Sequence, residues 1–339
     1  MTASAPQEGS RPERPGPEPL LRVDGLYVTF GSRANQRDVV RNVDLRIERG
    51  EVVGLVGESG SGKSLTALAI MRLLPTGARV SSGRVEFDGV DLVGLSRRAM
   101  NERRGRDIAM VFQDPLTALN PTIPVGRQIY DCLRTHDDLG RQAAASRVEE
   151  LLALVGIQHP RERARAYPHE LSGGMRQRVM TALAIACGPK LLIADEPTTA
   201  LDVTVQAQIM ALLDRVRREL GIAVLFISHN LDLVAEICDR TFVMYAGSVV
   251  ESGPVETLFA APKHPYTRQL LRCIPRLGDL TRDDAVGPMP TIPGLPPRAG
   301  ALPPGCAFAP RCDVADARCG DRPPIWREPG HMAVCWKAA

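Results

Sequence analysis

The run Gly57-Glu-Ser-Gly-Ser-Gly-Lys63-Ser64 constrains this chain more than any other feature. It matches Gly-x4-Gly-Lys-Ser/Thr, a pattern in which backbone N–H groups wrap phosphate oxygens without a clashing Cβ. A helix that follows such a loop aims its N-terminus at the same anion. Gly57, Ser59, Gly60, Ser61, Gly62 and Leu65 belong to this cradle. Lys63 brings a mobile positive charge for β/γ-phosphates, and Ser64 a hydroxyl for Mg2+. The residues before the loop, Glu51-Val-Val-Gly-Leu-Val56, read as a strand buried on both faces of a parallel sheet. Those after it, 65–74, have helical composition. A loop of this kind between strand and helix marks a nucleoside triphosphate site in an α/β fold.

The rest of the chain supplies what such a fold needs. Of 339 residues, 44% are hydrophobic and 24% charged, near the globular average, which disfavours wholesale disorder. No apolar run approaches the roughly 18 to 20 residues of a membrane-spanning helix. Residues 1–19 are rich in Pro, Gly, Glu and Arg and lack the apolar stretch of a secretory signal, so they read as a disordered tail. A net charge of +3 gives no case for a nucleic-acid partner. Period-two alternation in Leu21–Phe30 and Val43–Ile47 predicts half-solvated strands. The middle, about 96–186, reads as mostly helical, with Val148, Leu151, Leu152 and Val155 on one helical face. Leu191–Ala194, a helix through Val205, Ile209, Leu212 and Val216, and Ala223–Ile227 predict a parallel βαβ unit. Beyond about 265 the chain turns Pro- and Gly-rich, and a boundary is placed there.

Leu191-Leu-Ile-Ala-Asp195-Glu196 ends an apolar strand in two carboxylates, at the edge where open α/β sheets bind ligands. Asp195 is expected to hold Mg2+, and Glu196 to polarise the attacking water. Ser172-Gly173-Gly174, opening a helix, makes a second backbone anion site over a hundred residues from the first.

With this second element in place, the chain resembles the nucleotide-binding subunits of ATP-binding-cassette (ABC) transporters, whose signature is Leu-Ser-Gly-Gly-Gln; Met175 stands here in place of Gln. The remaining family markers follow in order. Gln113 in Val-Phe-Gln-Asp-Pro matches the Q-loop, which touches Mg2+ or the water. Asp202 in Thr-Ala-Leu-Asp matches the D-loop, and by itself suits a helix N-cap. His229 in Ile-Ser-His-Asn matches the histidine that contacts the γ-phosphate. Phe30 aligns with the aromatic that stacks on adenine. Met244–Gly253, Pro262-Lys-His-Pro-Tyr-Thr-Arg268 and Gly305–Cys312 resemble the D-type ATPase subunit of oligopeptide, dipeptide and nickel permeases.

The resemblance implies a RecA-like P-loop ATPase core over 20–265, with an antiparallel β-subdomain and an inserted helical subdomain at about 96–186. A small cysteine-bearing extension over 266–339 completes the chain. It implies head-to-tail pairing with a second ABC ATPase, a paralogue rather than a second copy, so that each nucleotide meets one phosphate loop and the partner's signature. It also implies two transmembrane permease subunits, an external peptide-binding protein and a place on the cytoplasmic face of a bacterial inner membrane. The expected reaction is ATP hydrolysis that powers peptide import. Nickel or another solute is the alternative cargo. A soluble ABC ATPase of DNA or ribosomes would carry a long coiled coil or two cassettes, and this chain has neither.

Cys306, Cys312, Cys319 and Cys335 gather in the last segment, while Cys132, Cys187, Cys238 and Cys273 are scattered. Four soft ligands without an export signal suggest an iron–sulfur cluster or a four-thiolate zinc site, with free structural thiols the third reading. The resemblance implies a 4Fe-4S cluster.

Overall fold

In the computed structural model, residues 18–31, 35–136, 139–199, 202–274 and 290–338 are described. Most of the 1–19 tail, and Ala200 and Leu201 of the expected D-loop, lie outside them. Two sheets organise the chain. The smaller is antiparallel, with β1 (Leu21–Phe30), β2 (Arg37–Ile47), β4 (Ala78–Phe87) and β5 (Val90–Asp91) in the order β2-β1-β4-β5.

The larger sheet starts with β3 (Val52–Val56), then β6 (Ile108–Val111), β7 (Leu191–Asp195), β8 (Ala223–Ser228), β9 (Arg240–Tyr245) and β10 (Ser248–Pro254). It closes with β11 (Ile325–Glu328) and β12 (His331–Val334). Its order is β11-β12-β10-β9-β3-β8-β7-β6, parallel from β9 to β6 and antiparallel beyond β9.

Helices cover this sheet. They are α1 (Lys63–Ile70), α2 (Arg97–Arg103), α3 (Pro115–Ala118), α4 (Val125–His136), α5 (Arg141–Leu154), α6 (Pro160–Arg163) and α7 (Gly173–Ile185). After them come α8 (Val203–Leu220), α9 (Leu231–Ile237), α10 (Val255–Ala260) and α11 (Pro265–Arg272).

The apolar runs of the central strands are explained by two cores, one on each face. Val53, Leu55, Leu191, Ile193, Leu225 and Ile227 pack with the antiparallel sheet and α1. Their neighbours Val52, Val56, Leu192, Ala194, Val224 and Phe226 pack with α4, α5, α7 and α8. Successive side chains point to opposite faces, so a strand covered on both sides has no polar position to offer.

The structure departs from the sequence reading in two places. Ile108–Val111, inside the stretch read as mostly helical, is wholly buried β6 and pairs in parallel with β7. Four apolar residues carry no periodicity that separates strand from helix. The extension is also more regular than its Pro content suggests: β12 adds to β10 through Glu251–Ala333 and Ser252–Met332. There Glu251, fully buried, accepts from the backbone N–H groups of Lys263 and His264 at 2.7 and 3.0 Å. Its Oε1 also lies 2.9 Å from His331 Nε2.

Candidate functional site

The carboxyl ends of β3, β6, β7 and β8 meet along one edge of the large sheet, and the residues that follow them line a cleft of about 500 Å3. Ser59, Gly60, Gly62, Lys63, Ser64, Leu65, Gln113, Glu196 and His229 form its walls. Four separate segments of sequence thus converge on one edge, as open α/β sheets place their ligand crevices.

The loop is shaped by two glycines that no other residue could replace without strain. Gly57 has φ +149°, and a Cβ there would lie 2.2 Å from the Met244 carbonyl oxygen. Gly62, with φ +104°, turns the chain into α1. Lys63 is buried and donates to the carbonyls of Gly57 at 2.8 Å and Glu58 at 3.1 Å. Burial holds its pKa below the usual lysine value, opposed by the charges of Glu196, Asp195 and Glu58. A phosphate entering the cleft offers this ammonium a charged acceptor in place of two neutral carbonyls.

Ser64 Oγ donates to Asp195 Oδ1 at 2.9 Å, bringing together two of the three residues expected to hold Mg2+, the third being Gln113. Burial raises the Asp195 carboxyl above its ordinary value, and the Glu196 charge adds to the rise while Ser64 opposes it. Two carboxylates beside a half-buried hydroxyl suit a hard cation with oxygen ligands. Ser61 Oγ is buried with no hydrogen-bond partner among the described residues, as fits a loop built around an external acceptor.

Glu196 adopts φ +46°, a left-handed conformation that costs a non-glycine residue about 1 kcal/mol. Its own N–H, donated to the Ile227 carbonyl at 2.9 Å, pins that turn to β8. The carboxylate is reached by Gln113 Nε2 at 2.8 Å, Thr199 Oγ1 at 3.0 Å and His229 Nδ1 at 3.3 Å. Gln113 and His229 therefore meet at the Glu196 carboxylate. Thr199 went unseen in the sequence, although Glu-x-x-Thr across a turn was there to read.

Other expected residues stand apart. Ser172 caps α7, its Oγ accepting from the Met175 N–H at 3.3 Å, and Asp202 caps α8, accepting from the Val205 N–H at 2.9 Å. Ser172, Gly173, Gly174 and Asp202 line no part of the cleft. Phe30, half-buried at the end of β1 and paired with Arg37 and Ala78, does not line it either.

Cys306, Cys312, Cys319 and Cys335 line a common pocket with His264, Phe308 and Trp336. Burial pushes the Cys306, Cys312 and Cys335 thiols up. Among the described residues, however, no three His, Cys, Asp or Glu side chains stand at the spacing that holds a metal ion. The donor set fits a soft metal and the spacing does not, so the structure itself does not carry the expected iron–sulfur cluster.

Comparison with known proteins extends this picture. Residues 40–199 match the ABC transporter family model, and residues 250–319 match the oligopeptide/dipeptide transporter C-terminal region. A peptide import ATP-binding protein of Brucella ovis is 52% identical, with 89% of this chain and 91% of that protein covered. The oligopeptide transport ATP-binding protein OppD of Salmonella typhimurium is 46% identical, with 94% and 93% covered. Among solved structures, the cassette MJ0796, dimeric and bound to ADP and Pi after hydrolysis, aligns with a TM-score of 0.63 at 26% identity. That alignment covers 69% of this chain and 98% of the cassette. Two independent family matches and identity of about half along nearly the full length leave one assignment: the chain belongs to the ATP-binding subunits of the ABC transporter family, with the C-terminal region of its oligopeptide/dipeptide branch.

Proposed function

We propose that the chain is the ATP-hydrolysing subunit of a bacterial ABC importer of di- and oligopeptides. The observation that carries this reading is the meeting of Lys63, the Ser64–Asp195 pair and the Gln113–Glu196–His229 group in one cleft. The relatives' names, a peptide import and an oligopeptide transport ATP-binding protein, support the cargo.

In this mechanism the loop N–H groups and Lys63 hold the triphosphate, and Phe30 stacks on the adenine. Ser64, Asp195 and Gln113 would hold Mg2+, which when bound would supply positive charge against the phosphate oxygens. Glu196 accepts a proton from the water that attacks the γ-phosphorus, with Gln113 and Thr199 fixing the carboxylate. His229 turns to the γ-phosphate, for which its 61% exposed side chain has room. Charge on the transferred group must be surrounded by donors. Ser172, Gly173 and Gly174 supply donors not to this cleft but to that of a partner ATPase, a paralogue, packed head to tail, and Asp202 faces the same partner. The dimeric form of the cassette MJ0796 supports the pairing of two ATPases.

Among the described residues no helix is long and apolar enough to cross a membrane. The pore is therefore assigned to two permease subunits, with this chain on their cytoplasmic face and an external peptide-binding protein delivering cargo. The four-thiol pocket is proposed as a soft-metal site, a 4Fe-4S cluster before zinc, supported by four sulfurs lining one pocket and requiring them to close to the ligand spacing they lack as folded here.

Uptake of a labelled oligopeptide by cells that lack the chain is the test of cargo. Wild-type chain is expected to restore uptake and Glu196→Gln is not. Restoration of nickel uptake alone would overturn the peptide reading.

A further inference from the structure

Glu58, the second residue of the phosphate loop, is gripped at main chain and side chain by the C-terminal part of the molecule. Its N–H donates to the Tyr266 hydroxyl at 2.9 Å. Its carboxylate receives both arms of Arg311, Nη1 to Oε2 at 2.7 Å and Nη2 to Oε1 at 2.9 Å. The Arg311 side chain is 5% exposed. Its other donors are engaged as well, Nε with the Pro293 carbonyl at 2.9 Å and Nη1 with the Tyr245 hydroxyl at 3.3 Å.

Tyr245, Tyr266 and Phe308 pack ring against ring at 4.6 to 5.3 Å and are almost wholly buried. The guanidinium also lies over the Tyr245 ring, 5.8 Å from its centre. Arg311 is thus fixed by a packed floor, and a planar fork on a carboxylate fixes direction as well as charge.

The position of Glu58 gives that grip a consequence for the cleft. The Glu58 carbonyl is one of the two that hold Lys63, and the Glu58 charge is among those that act on the Lys63 ammonium. A carboxylate within a loop that wraps a polyanion opposes its ligand unless it is paired, and here the pairing cation comes from 253 residues away in sequence.

We propose that Arg311 is a positioning residue of the phosphate loop: through its fork on Glu58, the C-terminal segment holds the loop and cancels its negative charge, and so sets the affinity for nucleotide. This rests on the reading of the cleft as the nucleotide site.

Calorimetric titration of the purified full-length chain with Mg-ADP tests it, on wild type, Arg311→Gln and the double variant Arg311→Gln/Glu58→Gln. Arg311→Gln is expected to bind about tenfold more weakly, because the Glu58 charge is left unpaired. The double variant is expected to return to within about threefold of wild type, since the stranded charge is gone. A single variant within about twofold of wild type, or a double variant no better than the single, overturns the proposal. Loss without recovery is what a merely structural arginine would give. Arg311→Lys, which keeps charge and bulk but not the fork, carries the test if Arg311→Gln does not fold. About threefold weakening is expected there, and none would overturn the proposal. A wild-type chain that binds no ADP overturns the reading of the cleft instead.

Discussion

At the scale of single residues, the positions with unusual environments are the ones the fold works hardest to keep. His264 is fully buried: its backbone N–H donates to Glu251 at 3.0 Å, and its Nδ1 accepts from the Tyr266 N–H at 3.0 Å. Burial, aided by Arg268, pushes its pKa down to about 3. The unfolded chain takes up a proton at this histidine near pH 6.5, while the folded chain does not until far lower. Stability from this group is therefore complete above about pH 6.5 and lost as pH falls, by up to about 1.4 kcal/mol per unit. Melting midpoints measured between about pH 6 and pH 4 should fall less steeply for His264→Asn, which keeps a capping acceptor and removes the titration. An unchanged slope would contradict this reading. Most cleft residues were legible because phosphate chemistry demands particular types at particular spacings: glycines around Lys63, carboxylates ending β7. Arg311 and Tyr266 were not, because their roles depend on contacts across more than two hundred residues that no local pattern encodes.

Elements show a similar division. Strands β3, β7 and β8 could be read from apolar density, since both faces are covered. The βαβ unit followed from the apolar stripe of α8, which the structure ends at Gly221, φ +65°. Strand β6 was lost among helices because four buried residues have no period to display, and β12 because its pairing with β10 is a tertiary event. The last segment is held by this strand pairing, by the Glu251–His331 contact and by the Arg311 fork, yet its four thiols share a pocket without metal-ligand spacing. Iron, sulfide and zinc content of anaerobically purified chain decides the soft-metal reading. About four irons and four sulfides per chain are expected for the cluster. Neither iron nor zinc would show that these cysteines are structural thiols.

For the whole molecule, the two-sheet architecture explains why a nucleotide site sits where it does. The central parallel strands point their carboxyl ends at one edge, and the antiparallel side of the large sheet carries the C-terminal segment to the back of the same phosphate loop. Fold and family could be read from the ordered motifs. The grip of the extension on the loop became visible only with the chain folded. The central claim, ATP hydrolysis with Glu196 as the base, is tested most directly by measuring ATP turnover and ATP binding side by side in wild type and Glu196→Gln. The variant is predicted to bind ATP with near wild-type affinity while turnover falls by at least about a hundredfold, the loss of a positioned general base. Normal turnover in Glu196→Gln would contradict the account.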